Sequence, residues 1–374
     1  MTKDKFTLND TLICKGIAIL MMIFHHMYLA PERYEGATLD FSPFAESDVN
    51  TFANFFKICV GIYVFLSAYG LTCSYKKWNG GDSRFVAYRY FRMMMEFFFI
   101  YVLSIITSLF VNSSWNIENV YGKGGMFAAA WKMLIDALGI AELFGTPTFN
   151  ATWWYMSLAI VIIILIPLLN KLYDKCGAIL ILAASALIPA ACGIDVVPLT
   201  RWLLCIALGI VFARTDALCT IKTGYRKLPV FAKITAFIGS CAVLFIFYKL
   251  RQGVLKGDFV EIWDSVIPVM VIIFAFLFID NIPGISHTFK FLGTYSTIIF
   301  LTHTLIRGYW FKNLALLTEN PWLNYVIFVL ISLAVAIIIK LIIKLCRYNK
   351  LEELILRKIA EPKKIKERSI NESE

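Results

Sequence analysis

Long apolar runs dominate the pattern of hydrophobic and polar positions along this chain of 374 residues. A helix that crosses the hydrocarbon layer of a bilayer needs about 20 predominantly apolar residues. We predict ten such helices, at residues 12–30, 52–74, 85–112, 153–172, 176–193, 198–217, 230–250, 262–281, 290–313 and 321–346. The pattern therefore predicts an all-α, polytopic transmembrane helical bundle, because such helices satisfy their backbone hydrogen bonds internally where lipid offers none.

Two further segments are amphipathic rather than continuously apolar. Residues 126–144 are too polar for a crossing and are predicted to lie at the membrane interface or over the bundle. The tail, 347–374, begins with the pattern of a short amphipathic helix and ends in a run of charges. We therefore divide the chain into a membrane domain, 1–346, and a basic cytoplasmic tail, 347–374. The polar N-terminus is interpreted as part of the mature chain and not as a signal peptide.

Composition supports a membrane protein, since apolar residues make up 59% of the chain and charged residues only 17%. The net charge of +10 would suit nucleic acid, but the cations lie in short connections and in the tail. This distribution is typical of cytoplasmic loops, and it predicts that both termini are cytoplasmic. We therefore expect membrane lipids around the protein and no nucleic-acid partner. The nine cysteines form no CxxC pair and indicate neither a disulfide framework nor a zinc site.

The first predicted helix carries Lys15, His25 and His26 in an otherwise apolar run. Lys15 and His26 are eleven residues apart, so at about 100° per residue they share one face, about 16.5 Å apart along the axis. His25 lies about 80° away from that face. Ionisable side chains inside a membrane are costly and indicate a functional site by default. We therefore expect chemistry at His26, with His25 either beside it in the site or hydrogen-bonded to a neighbouring helix.

The ninth predicted helix, in TYSTIIFLTHTLIRGYW, carries a second polar pair. In the predicted orientation His303 lies past the middle of the membrane, at a depth similar to that of His26. Arg307 follows one turn further out on the same face. Two histidines at one depth on separate helices predict a common polar cavity. Two interpretations of His303 stay open: it orients the reacting group, or it bonds a neighbouring backbone carbonyl.

Positive charge collects at the predicted cytoplasmic end of the bundle. The third helix begins SRFVAYRYFRMMMEFFFIYV, with Arg89 and Arg92 on one face and Glu96 one turn further on. These residues form either a cationic flank with an Arg92–Glu96 pair within the helix or an anion site that faces the cytosol. The second helix has small residues in its inner half, which allow close helix approach: Ser67, Ala68 and Gly70.

From the cytoplasmic end towards the outer face, the predicted depths place cations first, then a passage of small residues, and then the histidines. Arginine side chains suit phosphates, and a histidine suits proton abstraction from a hydroxyl near neutral pH. The order therefore favours a cytosolic donor with a phosphate-rich handle and a long neutral arm. Coenzyme A thioesters have this shape.

Five stretches resemble the acyltransferase 3 family, in the family's order and over the whole membrane domain. KGIAILMMIFHH resembles the first-helix signature, in which a Lys or Arg precedes a histidine by eleven positions, here Lys15 and His26. VFLSAYG resembles the second-helix pattern, with Ala68 in place of the usual glycine. YRYFR is similar to the arginine-rich start of the third helix, and TWWYMSLAI to a Trp-Tyr-Leu segment. LGTYSTIIFLTH resembles the late helix that carries Ser296 and His303.

This resemblance implies an integral-membrane O-acyltransferase, which transfers an acyl group, usually acetyl from acetyl-CoA, to hydroxyls of sugars or other envelope molecules. We expect the acceptor to be a cell-surface polysaccharide or its lipid-linked precursor, at the plasma membrane of a bacterial cell. Acetyl-CoA acts as a substrate, and neither a permanently bound cofactor nor a metal is expected. A second copy of the chain or separate envelope enzymes are further candidate partners.

The resemblance and the helix pattern together define the expected site. The catalytic residues are expected to be His26 and His303. The residues expected to bind the donor are Lys15, Ser67, Arg89 and Arg92. The residues expected to bind the acceptor are His25, Trp153, Trp154, Tyr155 and Arg307. For the three aromatic residues an interfacial aromatic belt is an alternative explanation.

Two other functions compete with the transferase. A transporter or exporter of a glycolipid or another acylated envelope molecule would use the histidines as a proton relay. The sequence shows no internal repeat and no broken-helix Gly/Pro pair, which disfavours a transporter. An inactive family member that scaffolds envelope enzymes is the third possibility.

Overall fold

The computed structural model describes residues 5–111, 115–192, 199–253, 260–310 and 314–360. Within these ranges the chain is helical and contains no strand. The long helices are α1 (Leu8–Tyr28), α3 (Cys59–Tyr75), α4 (Asp82–Ser108), α7 (Trp154–Cys192), α8 (Leu199–Thr215), α10 (Val230–Gln252), α11 (Val260–Phe274), α12 (Pro283–Leu305) and α13 (Pro321–Leu345). The shorter helices are α2 (Glu46–Phe55), α5 (Ile117–Tyr121), α6 (Gly125–Ala137), α9 (Ala217–Lys227) and α14 (Tyr348–Ala360).

The structure confirms the predicted all-α polytopic bundle. Two of the ten predicted runs form the halves of α7, which is kinked at Gly177, where φ is 76°. Seven helices of the described residues are long and apolar enough to cross a bilayer, and the pair α8 and α9, bent by 65°, would be an eighth. The number of crossings and the cytoplasmic location of the termini stay predictions. The amphipathic segment contains α6, the tail begins with α14, and residues 361–374 lie outside the described part.

The surface of the bundle is apolar to a degree that requires a hydrocarbon environment. Helix α10 runs along the periphery, and none of its residues is buried within the protein. Its large side chains face outwards, with Phe231 80% and Ile238 61% exposed. Soluble monomers rarely expose contiguous apolar surfaces of this extent. The protein is therefore a multi-pass membrane protein.

Contacts between helix ends show which ends lie together at each side of the bundle. We name the ends after the predicted orientation. At the inner end, where α1 and α12 begin and α13 ends, Asp82 pairs with Lys171 and accepts from the Tyr75 hydroxyl. At the outer end, where α1 and α12 end and α13 begins, the Tyr28 hydroxyl donates to the Pro321 carbonyl at 2.5 Å. Helices α1 and α12 run parallel to each other, as the sequence pattern predicted, because their early residues Gly16 and Phe289 are in contact and their late residues His26 and His303 are adjacent.

Helices α1 and α12 are in direct backbone contact through a pair of glycines. A Cβ added to Gly16 would lie 2.1 Å from the Phe289 carbonyl oxygen, and one added to Gly293 would lie 2.0 Å from the Leu12 carbonyl oxygen. Small residues at such interfaces let membrane helices pack closely. The two glycines therefore fix both the distance and the relative height of α1 and α12.

A second close approach joins α3 to α8. A Cβ added to Gly209 would lie 2.8 Å from the Ala68 methyl group. The expectation that Ala68 lies at a close helix contact is therefore confirmed. The same expectation is wrong for Gly70, around which an added Cβ would meet no atom within 4 Å among the described residues.

An ionic network at the outer end ties the starts of α8 and α11 to the end of α10. Asp264 is fully buried, and its Oδ2 accepts from Arg201 Nε at 2.8 Å. Its other oxygen, Oδ1, accepts from Arg251 Nε at 2.9 Å and Arg251 Nη2 at 2.7 Å. Both carboxylate oxygens of Asp264 are therefore occupied.

The glycine contact yields a first prediction. Gly293→Ala should lower the free energy of unfolding by at least about 1–3 kcal/mol, the usual cost of overpacking, because the neighbouring atom is rigid backbone. Thermal unfolding of the purified protein in detergent measures this change. Gly284→Ala, in the same helix but with open space around it, is the matched control. Equal melting temperatures for the two variants would contradict the proposed role of the contact.

The ionic network yields a second prediction. Asp264→Asn leaves two arginines without their shared carboxylate and should cost about 3–5 kcal/mol of stability. The control is Asp174→Asn, because the Asp174 side chain is 57% exposed in its pair with Arg214 and such pairs contribute at most about 1 kcal/mol. Both are measured by thermal unfolding in the same detergent. A smaller loss for Asp264→Asn than for its control would refute the assignment.

Candidate active site

A cavity of about 270 Å³ lies in the core of the bundle, between α1, α3, α7 and α12. Lys15 and His26 both line it, so the cavity follows the face of α1 that the sequence predicted. The helical rise places these two residues about 16.5 Å apart along the axis. The two ends of this face of α1 therefore line one and the same cavity.

His26 is the histidine with free ring nitrogens in this cavity. Its ring is half-buried and makes no hydrogen bond to any residue of the described ranges. The centroids of His25 and His303 both lie 5.1 Å from that of His26. His26 is thus held between two other imidazoles while its own nitrogens stay available to a substrate.

The two neighbouring histidines are anchored by backbone carbonyls. His25 also lines the cavity, and its Nδ1 donates to the Ala53 carbonyl at 2.7 Å. His303, expected to share the cavity as a catalytic residue, does not line it: the side chain is fully buried, and its Nδ1 donates to the carbonyls of Ile299 and Phe300, each at 3.0 Å. Because a carbonyl only accepts, both Nδ1 atoms carry the proton. Of the two interpretations of His303, the bond to its own helix backbone is present, and this bond holds the ring against His26.

Lys15 and Ser67 occupy the cavity as the donor-binding hypothesis requires. The carboxylate of Glu96 on α4 attracts the ammonium groups of Lys15 and Lys340 electrostatically. No ion pair within 4 Å joins Glu96 to Arg92 in the described part of the chain. The predicted Arg92–Glu96 pair is therefore not formed, because Glu96 faces α1 and α13 instead.

Arg89 and Arg92 lie at the inner end, outside the cavity lining. Arg92 is exposed in a groove between α4 and α14, where its Nη1 donates to the Tyr88 hydroxyl at 3.4 Å. The Arg89 guanidinium lies 5.5 Å from the centre of the Phe85 ring, and its Nε is buried without a hydrogen-bond partner among the described residues. The structure thus does not bring either arginine to the histidines.

The candidate acceptor-binding residues divide into two groups. Trp154 and Tyr155 line the cavity, and the buried Tyr155 hydroxyl has no hydrogen-bond partner in the described ranges. Trp153 does not line it: this side chain is 2% exposed, packs on Phe97 and donates from Nε1 to the Leu301 carbonyl at 3.0 Å. Trp153 thus attaches the start of α7 to α12.

Arg307 lies just beyond α12, in the π-helical turn Ile306–Trp310. Its Nη1 donates to the Arg33 carbonyl at 3.2 Å, and its Nε is buried with no partner among the described residues. Arg307 does not line the cavity, but it acts electrostatically on His26. Turns of this type occur frequently at functional sites.

One cavity residue, Lys57, was missed in the sequence. It lies in the turn Phe56–Ile58 between α2 and α3 and lines the cavity near His25. The signal was present, because a lone lysine within the second predicted span is the kind of intramembrane charge that indicates function. Within the described ranges no group of His, Cys, Asp and Glu has the arrangement of a metal site.

Comparison with known proteins gives one match. No curated protein and no solved structure matches the chain. A family model described as an acyltransferase domain matches residues 13–341, which include every residue that lines the cavity. The chain therefore belongs to the acyltransferase 3 family and is a membrane-bound acyltransferase.

Proposed function

We propose that this protein is an O-acetyltransferase that transfers acetyl from cytosolic acetyl-CoA to a hydroxyl of a cell-surface polysaccharide or its lipid-linked precursor. The observation that carries the proposal is the cavity, which holds a cation, Lys15, at one end and an unengaged imidazole, His26, at the other. A thioester carrier has the matching shape, with anionic phosphates at one end and a reactive carbonyl at the other. The family provides the reaction class.

The donor enters from the inner end in this proposal. Lys15 binds a phosphate at the mouth of the passage, and Ser67 lines the path of the neutral arm. Arg89 and Arg92, which lie at the same end but outside the cavity, would hold the remaining phosphates. Planar guanidinium groups are well suited to phosphate oxygens.

At the histidine end, His26 takes the proton of the acceptor hydroxyl while the oxygen attacks the thioester carbonyl. The carbon–oxygen bond forms, the carbon–sulfur bond breaks, and the departing thiolate receives a proton. In the other route compatible with the site, His26 first accepts the acetyl group and then passes it to the hydroxyl. His303 positions the ring of His26, and the aromatic faces of Trp154 and Tyr155 form the wall on which a sugar would stack.

The transporter hypothesis is less well supported by the same geometry. A proton relay along three histidines needs hydrogen bonds between their rings or through groups that can pass a proton on. Within the described ranges no hydrogen bond joins the three rings: the Nδ1 protons of His25 and His303 are donated to backbone carbonyls, and His303 Nε2 bonds the Thr304 hydroxyl at 3.1 Å. This arrangement orients the rings and favours a fixed catalytic group at His26.

Removal of His26 tests the proposal directly. His26→Ala should lower the rate of acetyl transfer by about 10²–10⁴-fold, the usual contribution of a positioned base. Mass spectrometry of acetylated surface glycan in cells that express each variant measures the effect, with equilibrium binding of CoA to the purified protein as the folding check. His287→Ala, at an exposed position of α12, is the control. Undiminished acetylation by His26→Ala would exclude this residue from the mechanism.

Lys15 provides a separate test of the donor site. Lys15→Met should weaken CoA binding about 10- to 100-fold, because one charge-assisted hydrogen bond to phosphate is lost. Binding of pantetheine, which lacks the phosphates, should be nearly unchanged. Lys175→Met, which removes an exposed lysine at the inner end, is the matched control in the same calorimetric measurement. Equal CoA affinities for Lys15→Met and Lys175→Met would place the phosphates elsewhere.

A further inference from the structure

Lys57 is an unpaired cation at the histidine end of the cavity. Its side chain is half-buried and lines the same cavity as His25 and His26. Within the described ranges its ammonium group makes no hydrogen bond and no ion pair within 4 Å. The position of Lys57 is fixed by the short turn that connects α2 to α3, so the charge cannot move far from the cavity.

The charge of Lys57 is not balanced by a neighbouring carboxylate. Asp264 is the carboxylate that acts on Lys57, but the oxygens of Asp264 are bonded by Arg201 and Arg251. These two arginines also act on Lys57, as further positive charges. Asp264, Arg201 and Arg251 together therefore carry a net positive charge, and they do not neutralise the charge of Lys57.

The other charged side chains that interact with His25 and His26 are cations as well. The charges of Lys57, Arg33 and Arg251 interact electrostatically with the His25 ring. Arg33 and Arg307 act on His26. Uncompensated charge in a protein interior is costly unless it is paired, and inside a membrane such groups mark the path of a substrate. An anion that enters the cavity from the outer end would supply the missing charge.

We propose that Lys57 binds an anionic group, a phosphate or a carboxylate, of the saccharide acceptor. This inference rests on the proposed function, which makes the outer end the acceptor's side. In the proposed function the donor's phosphates are bound at Lys15, about 16.5 Å from His26 along α1, so the anion at Lys57 is assigned to the acceptor. The acceptor is therefore an acidic saccharide: either a sugar phosphate, as in a lipid-linked precursor, or a sugar carboxylate.

The test uses three matched trisaccharides: a neutral one, one with a uronic acid in place of a hexose, and one with a glycosyl phosphate at its reducing end. Each is titrated calorimetrically into the full chain in nanodiscs with saturating CoA, which occupies the donor site. One or both charged saccharides should bind about 10- to 100-fold more tightly than the neutral one, as one charge-assisted hydrogen bond predicts. The saccharide that binds identifies the source of the anion.

Substitutions assign this preference to one residue. Lys57→Met should abolish it, and Lys57→Arg should retain it. Lys249→Met, which removes an exposed lysine near the end of α10, should behave like the natural protein. If Lys57→Met does not fold, inorganic phosphate added to the natural protein should weaken binding of the charged saccharides and leave the neutral one unaffected.

The outcomes separate this inference from the proposed function. Acetyl transfer from labelled acetyl-CoA is measured with the same saccharides. Binding that depends on Lys57 without any transfer supports the anion site and counts against the transferase. Transfer without a preference for charged saccharides leaves the transferase intact and overturns the inference. The inference also fails if neither charged saccharide binds, or if Lys57→Met keeps the preference.

Discussion

The backbone contact between α1 and α12 is the constraint on which the candidate site depends. Gly16 and Gly293 bring two parallel helices within van der Waals contact and fix their relative height. His26 and His303 lie ten residues beyond Gly16 and Gly293, respectively. Both helices rise by about 1.5 Å per residue, so residues that lie equally far along each helix from the glycine contact are at the same depth. The 5.1 Å separation of the two imidazole centroids therefore follows from the glycine contact.

Inside this bundle, hydrogen bonding distinguishes structural polar groups from those that can meet a substrate. Asp264 and Trp153 are buried and fully bonded to protein groups, as the absence of water within lipid requires. His26, Lys57 and the Tyr155 hydroxyl line the cavity without a partner in the described residues. A membrane protein has few ways to satisfy such groups other than a ligand. In the proposed function, the unbonded groups that line the cavity are the ones that meet the substrates.

The sequence predicted the helices and the shared face of Lys15 and His26, because both follow from local periodicity. It did not predict which face of α4 points towards the cavity. Arg89 and Arg92 share a face, but that face packs near α14, so Arg92 lies in a groove outside the cavity. Nor does spacing reveal that Trp153 bonds Leu301, since that contact joins residues far apart in the chain. Side-chain direction depends on tertiary packing, whereas helix position depends on apolar run length.

If the two proposals hold, the two cations of the cavity provide separate places for two anionic substrates. Lys15 and Lys57 both line the cavity, and Lys57 lies near His25. In these proposals a phosphate bound to Lys15 directs the neutral thioester arm towards His26, and an anion bound to Lys57 holds the acceptor near the histidines. The carbonyl and the hydroxyl then react at His26, whose ring nitrogens make no hydrogen bond to the described residues.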